Sequence, residues 1–179
     1  MISNITLTTK EKFLLEDSKT HEEQCIQKYE NYTKLACDSE LKAVFRSNGQ
    51  KEEEHLQTIN QLISGKVPDM SQNGGQSGAQ SSGQGGQQQT RQKGQKTNSQ
   101  QDTIERQSSG STEFKASDKD LCTDMLMTEK YVSGAYDTAI FEFKDAKVRD
   151  VLNHIQKEEQ KHGEAIFCYM QSKGMYSPS

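Results

Sequence analysis

The same carboxylate and imidazole pair occurs twice in this chain, as Glu52-x-x-His55 and Glu159-x-x-His162. The two copies lie 107 residues apart (52 to 159, 55 to 162). That offset also carries Glu22 onto Glu129, Tyr29 onto Tyr136, Asp38 onto Asp145, Val44 onto Val151 and Ile59 onto Ile166. Residues three apart on a helix share one face. A duplicated Glu-x-x-His with a Glu partner upstream is the pattern from which four-helix bundles build di-metal carboxylate sites. The fold must therefore contain the same helical unit twice.

Helical periodicity supports that unit. The inward stripe of a first helix reads Leu15, Ser18, Glu22, Cys25, Tyr29, Tyr32, Ala36, and that of a second reads Leu41, Phe45, Asn48, Glu52, His55, Ile59, Leu62. A third gives Cys122, Met125, Glu129, Val132, Tyr136, Ala139, Phe143, and a fourth gives Val148, Leu152, Ile155, Glu159, His162, Ile166, Tyr169. Each stripe is mostly apolar and is interrupted near its middle by Glu, or by Glu plus His. Thr8-x-x-Glu11 and Ser117-x-x-Asp120 are capping-box patterns. Asp38 and Ser39 suit the turn and N-cap of the second helix, Lys144-Asp145-Ala146 marks the other turn, and Gly65, Pro68 and Gly174 supply the stops.

Three segments follow: a helical hairpin over 9–65, a linker over 66–112 and a second hairpin over 113–176. The linker holds 12 Gln and 8 Gly and almost no apolar side chain. Such a segment buries too little surface to offset its ordering entropy, so disorder is expected. As a flexible coil it spans roughly 35–40 Å, about the length of a 25-residue helix. It can serve as the long crossover between the second and third helices of a bundle, or let hairpins exchange between chains. The hydrophobic fraction of 30% is low for a globular chain because the linker dilutes it.

Composition excludes several classes. Net charge is −4 and no basic, aromatic-interleaved stripe points to nucleic acid. No apolar run is long enough to span a membrane, and the N-terminus does not read as a signal peptide, so synthesis in the cytoplasm is expected. Cys25, Cys37, Cys122 and Cys168 form no C-x-x-C pair and fall at unmatched positions of the duplication, as reduced thiols would.

Register brings the polar residues together. Facing residues of an antiparallel hairpin have a constant summed number. A turn near 37–38 places Glu52 opposite 22 and 23, and a turn near 144–145 places Glu159 opposite 129 and 130. Packed together, the hairpins put four carboxylates and two imidazoles in one layer. Burying several ionised carboxylates costs several kcal/mol each without a partner. Divalent cations remove that cost, since carboxylate oxygen and imidazole nitrogen suit iron, manganese or zinc. The expected ligands are Glu22, Glu52, His55, Glu129, Glu159 and His162. A protonated, hydrogen-bonded polar layer is the structural alternative. Glu23, Glu53, Glu54 and Glu158 belong to charge runs and read as solvated. Tyr29 and Tyr136 read as core tyrosines with satisfied hydroxyls, Asn48 as an inward residue fixing register, and His21 and His154 as exposed.

The second hairpin resembles the coat F family of bacterial spore coat proteins. The likeness rests on Ser117-Asp118-Lys119-Asp120-Leu121, Met125-Leu126 with Lys130, Ala139-x-x-Glu142, Val148-Arg149-x-x-Leu152, and Glu159-x-x-His162 through Phe167-x-Tyr169-Met170 to Gly174-Met175-Tyr176. It covers about 60 residues; the first hairpin is similar only at the level of the superfamily. The resemblance implies an all-α, ferritin-like four-helix bundle and a structural role in the endospore coat. It also implies other coat proteins as partners and deposition in the coat after synthesis in the mother cell. In metal-oxidising ferritin-like proteins the upstream Glu precedes Glu-x-x-His by 33 residues. Here the gap is 30, and the 33-residue positions hold Lys19 and Leu126.

Three functions compete on this footing. One is a structural coat component that packs with coat proteins or with its own copies. Its tyrosines and its Gln run with Lys93 and Lys96 would be available for cross-linking, or the run is a mere spacer. A second is a di-iron or di-manganese protein handling peroxide, oxygen or ferrous iron. A third is a cytosolic helical adaptor.

Overall fold

The computed structural model describes residues 3–68 and 117–176. Four helices carry the fold: α1 (Thr9–Leu35), α2 (Ser39–Ile63), α3 (Asp118–Ile140) and α4 (Ala146–Ser172). Two-residue strands, β1 (Ser3–Asn4) and β2 (Lys66–Val67), pair antiparallel beside the end of α2. The strand pair was not expected, and β2 falls on the first two residues of the expected linker. The linker beyond Pro68, with Lys93 and Lys96, and the expected hairpin residues 113–116 lie outside the described residues.

Local chemistry sets the helix limits. Both capping boxes form: Thr8 Oγ1 accepts from Glu11 N and Ser117 Oγ from Asp120 N, while the acidic side chains reach back to the cap N–H groups. Asp38 caps α2 and Asp145 caps α4, each accepting from the amide two residues on at 2.8 Å. Gly174 takes φ +67° after α4, and Met175 N then donates back to Met170 O at 2.8 Å. That closure satisfies orphan carbonyls through a left-handed residue that favours glycine.

Cross-hairpin contacts fix the topology. Between α1 and α3, Tyr29 meets Glu129, Glu22 meets Tyr136 and Lys10 meets Glu142, so rising numbers on one helix pair with mostly falling numbers on the other. Between α2 and α4, Asn48 meets His162 and His55 meets Glu158. Both pairs are antiparallel, which gives an up-down-down-up bundle. Val67 packs with Phe143 and Val148 at one end, whereas Cys37 N and Asp38 N bond to Asp118 at the other. The chain between Pro68 and Ser117 thus joins opposite ends of a bundle whose α2 alone is 25 residues long, or about 37 Å.

All stripe positions are buried except Tyr32, which is half-buried. The apolar core is in two blocks. One contains Leu15, Ile59, Val132, Ile140 and Leu152, and the other Leu41, Phe45, Met125, Ile166 and Met170. Each fully buried aliphatic side chain contributes about 1.5–3 kcal/mol. The polar layer lies between the blocks, so packing on both sides holds it away from water.

Candidate metal centre

Every expected ligand reaches this layer. Glu22, Glu52 and Glu159 are fully buried, and Glu129, His55 and His162 are nearly so. Their donor atoms form two groups, Glu22–Glu52–His55–Glu159 and Glu52–Glu129–Glu159–His162, each with one atom per residue within 4.8 Å of the others. Glu52 and Glu159 are shared, while Glu22 with His55 and Glu129 with His162 belong to one group each. The two groups are exchanged by the 107-residue duplication. Glu22 and Glu129 thus stand in the layer where the summed-number argument expects them, and the residues at the 33-residue spacing stay outside: Lys19 lies 3.9 Å from Glu23 and Leu126 is half-buried.

The imidazoles face inward through Nδ1. His55 Nδ1 lies 3.0 Å from Glu52 Oε2, 3.0 Å from Glu159 Oε1 and 3.7 Å from Glu22 Oε2. His162 Nδ1 lies 3.1 Å from Glu52 Oε1, 3.5 Å from Glu159 Oε2 and 3.7 Å from Glu129 Oε2. A single N–H serves one acceptor well, not three. Four buried oxygens are accordingly left without a hydrogen bond: Glu22 Oε2, Glu129 Oε2 and both of Glu159. The rings themselves stack, 5.6 Å between centroids at 26°.

Protons balance the charge in this arrangement. Burial, reinforced by the charges of Glu159 and Glu52, raises Glu22 well above the usual carboxylate range. Burial, with Glu52 and Glu159 beside it, raises Glu129 to about 8. Burial pushes the same way on Glu159, but the facing His162 and His55 imidazoles overcome it and hold Glu159 at about 2. Burial likewise opposes ionisation of Glu52, which the two imidazoles still draw below its ordinary value. Burial works against the imidazolium forms, yet the facing carboxylates raise His55 well above its usual value and His162 to about 11. Two neutral acids, two carboxylates and two imidazoliums sum to zero.

The residues fit a pair of divalent cations. Orphaned oxygens and two Nδ1 atoms converge from four helices, and hard oxygen with borderline nitrogen is a donor set for iron, manganese or zinc. Beyond the ligands, the Tyr29 hydroxyl donates to Glu129 Oε1 and the Tyr136 hydroxyl to Glu22 Oε1. Asn48 Nδ2 donates to the Tyr29 hydroxyl at 3.1 Å and to His162 O at 3.4 Å. All but the Asn48–Tyr29 bond cross between hairpins, and the two tyrosine bonds orient the carboxylates that belong to one group each.

Glu158 departs from expectation. Glu23, Glu53 and Glu54 are exposed as charge-run residues should be, but Glu158 is half-buried and lies 2.9 Å from His55 Nε2. The His55 bond, followed by the charges of His55 and His154, lowers Glu158 to about 2. It completes a carboxylate–histidine pair behind the Glu22 group. The equivalent of Glu158 in the first hairpin is Lys51, which pairs with Glu54 instead. The expected exposure of His21 and His154 also fails: both are half-buried, and His21 packs edge-on against Tyr131. Cys25 and Cys122 are buried, Cys37 and Cys168 are exposed, and all four are free thiols.

Comparison with known proteins gives one finding. Residues 117–179 match the Coat F domain, which places that domain on the second hairpin and about a third of the chain. No curated protein and no solved structure matches the chain. Among the described residues no helix is long and apolar enough to cross a membrane.

Proposed function

We propose that this protein is a component of the bacterial endospore coat, built on a ferritin-like bundle that holds two divalent cations. The Coat F match over 117–179 supports the coat assignment. The up-down-down-up order with its single long crossover supports the ferritin-like reading. The observation that carries the metal reading is the sharing of Glu52 and Glu159 between two buried donor groups, with four carboxylate oxygens lacking any hydrogen bond.

Glu22 and His55 would hold one cation, Glu129 and His162 the other, and Glu52 with Glu159 would serve both. Iron or manganese there would supply Lewis-acid and one-electron chemistry. The chain's own part is to exclude water, to aim the carboxylates through Tyr29 and Tyr136, and to surrender protons as a cation arrives. A cation pair also replaces the stacked imidazoliums and unpaired oxygens with satisfied ligands, so it stiffens the middle of a coat building block.

Two measurements test this. Protein purified without chelator should contain close to two equivalents of divalent metal, and fractionated spores should carry it in the coat layer. Less than about a tenth of an equivalent, unchanged by Glu52→Ala with Glu159→Ala, removes the metal reading. Absence from spores removes the coat reading.

A further inference from the structure

The two halves of the site differ in how they meet solvent. A cavity of about 440 Å³ opens in the groove between α3 and α4, and Glu129 and Glu159 are among the residues that line it. Gly163 makes the opening. A side chain there would enter the cavity, since even its Cβ would lie only 3.5 Å from Leu126 Cδ1 and 4.0 Å from Glu129 Cβ. In the first hairpin the equivalent position is Leu56, and Asn60 stands in place of Phe167. The duplication thus keeps the ligands and changes the wall in front of them.

The lining indicates what passes. Glu164, exposed at the mouth, leads toward Glu129 and Glu159, which are 2% and 0% exposed, against the single cation Lys130. Both Glu159 oxygens and Glu129 Oε2 lack hydrogen-bond partners and are closed off from solvent, so unpaired oxygens lie just behind the inner wall. Phe167 and Tyr176 pack edge to face at 5.2 Å on the rim, where the Gly174 turn brings the chain back. A cavity whose inner wall is built from two residues with unpartnered carboxyl oxygens leads a cation to the point where hard oxygen donors would coordinate it.

We propose that the α3–α4 cavity is the access port through which a divalent cation reaches the Glu129–His162 position. The proposal rests on the two-metal reading above. Metal then fills the bundle from the Coat F half, and Gly163 sets the rate of filling without altering the capacity.

Cobalt(II) uptake by the full chain, followed by stopped-flow absorbance and closed by metal analysis, tests it. Gly163→Leu should end at two equivalents but load at least tenfold more slowly, with Gly163→Ala between it and the natural chain. Adding Leu56→Gly to Gly163→Leu should restore fast loading by opening the mirror groove. Loading of Gly163→Leu at the natural rate overturns the port while leaving the two-metal reading intact. A natural chain that takes up no cobalt overturns both, which is a distinct result. Should Gly163→Leu fail to fold, Tyr176→Ala decides: faster uptake supports the port and unchanged uptake overturns it.

Discussion

The two hairpins carry the same candidate ligands and differ in what surrounds them. Around His55 stand Glu158 at Nε2 and Leu56 in the groove; around His162 stand Asn48 at the backbone carbonyl and the opening at Gly163. Duplication has preserved the residues that would touch a cation and released the ones behind them. The two proposed cation positions would therefore be equivalent in ligand type and unequal in affinity and access. The largest expected effect breaks what they share. Glu52→Ala or Glu159→Ala removes a donor from both groups, and metal content should fall from two equivalents to none after dialysis. Glu22→Ala or Glu129→Ala should leave one. Equal losses in all four variants would show that the groups do not overlap as described.

Acidity gives the next largest effect. Without metal, Glu22 and Glu129 are raised acids and His55 and His162 raised bases, so all four carry protons at neutral pH. Ligation needs carboxylates and neutral imidazoles, so loading two cations releases close to four protons and conserves the net charge of the layer. A ligand that displaces protons binds more tightly as pH rises. The overall two-cation constant should gain close to four decades per pH unit near pH 6, with the slope falling as Glu129 titrates at about 8. Calorimetry in buffers of different ionisation enthalpy measures this directly. Release of fewer than two protons near pH 6 would contradict the charge balance.

The convergence of the six Glu and His residues was legible in the sequence because their spacing is a local property. A helical stripe and a turn position decide that Glu22 faces Glu52 and that Glu129 faces Glu159, and the apolar residues on either side mark the layer as buried. Glu158 was not legible from composition, since it stands in an acidic run whose other members, Glu53 and Glu54, are indeed exposed. Its role depends on which helix lies beside α2. Once α2 and α4 are antiparallel neighbours, the pairing of Asn48 with His162 already points His55 toward 155–158, so the missing information was topological. The Tyr29 and Tyr136 hydroxyls were expected to be satisfied, but their acceptors on the opposite hairpin needed the same information. Gly163 carried no signal as a motif. Its meaning appears only against Leu56 at the duplicated position.

Glu158 offers a way to sharpen the inequality. Removing a carboxylate behind a ligating histidine typically weakens metal binding 10- to 100-fold. Glu158→Gln should lower affinity by that factor at the Glu22–His55 position and leave the Glu129–His162 position unchanged, so a two-step isotherm changes in one step. Lys51→Glu places a carboxylate at the equivalent point behind His162 and should tighten the other step. If Glu158→Gln weakens both steps alike, Glu158 acts through the general charge of the layer and not through His55.

The smallest effects concern features the hairpins still share far from the layer. Glu11 and Asp118 are partners under the duplication, and each pins the turn of the opposite hairpin. Glu11 Oε1 accepts from Lys144 N at 2.8 Å, while Asp118 accepts from Cys37 N at 2.7 Å and Asp38 N at 2.9 Å. Glu11 is buried and also closes its own capping box through Thr8 N, whereas Asp118 is half-buried. Losing a cap or a charge-assisted bond to backbone costs about 1–2 kcal/mol, or roughly 4–10 °C in Tm for a domain of this size. Glu11→Ala should lie at the upper end, because the lost carboxylate is itself buried, and Asp118→Ala at the lower. The two sites sit at opposite ends of the bundle with no shared partner, so their effects should add within about 0.5 kcal/mol. Calorimetric melting of the metal-free single and double variants measures all three quantities. Cation capacity should stay at two throughout. A loss of metal in Asp118→Ala would mean that the turn, and not the layer alone, holds the second hairpin's ligands in place.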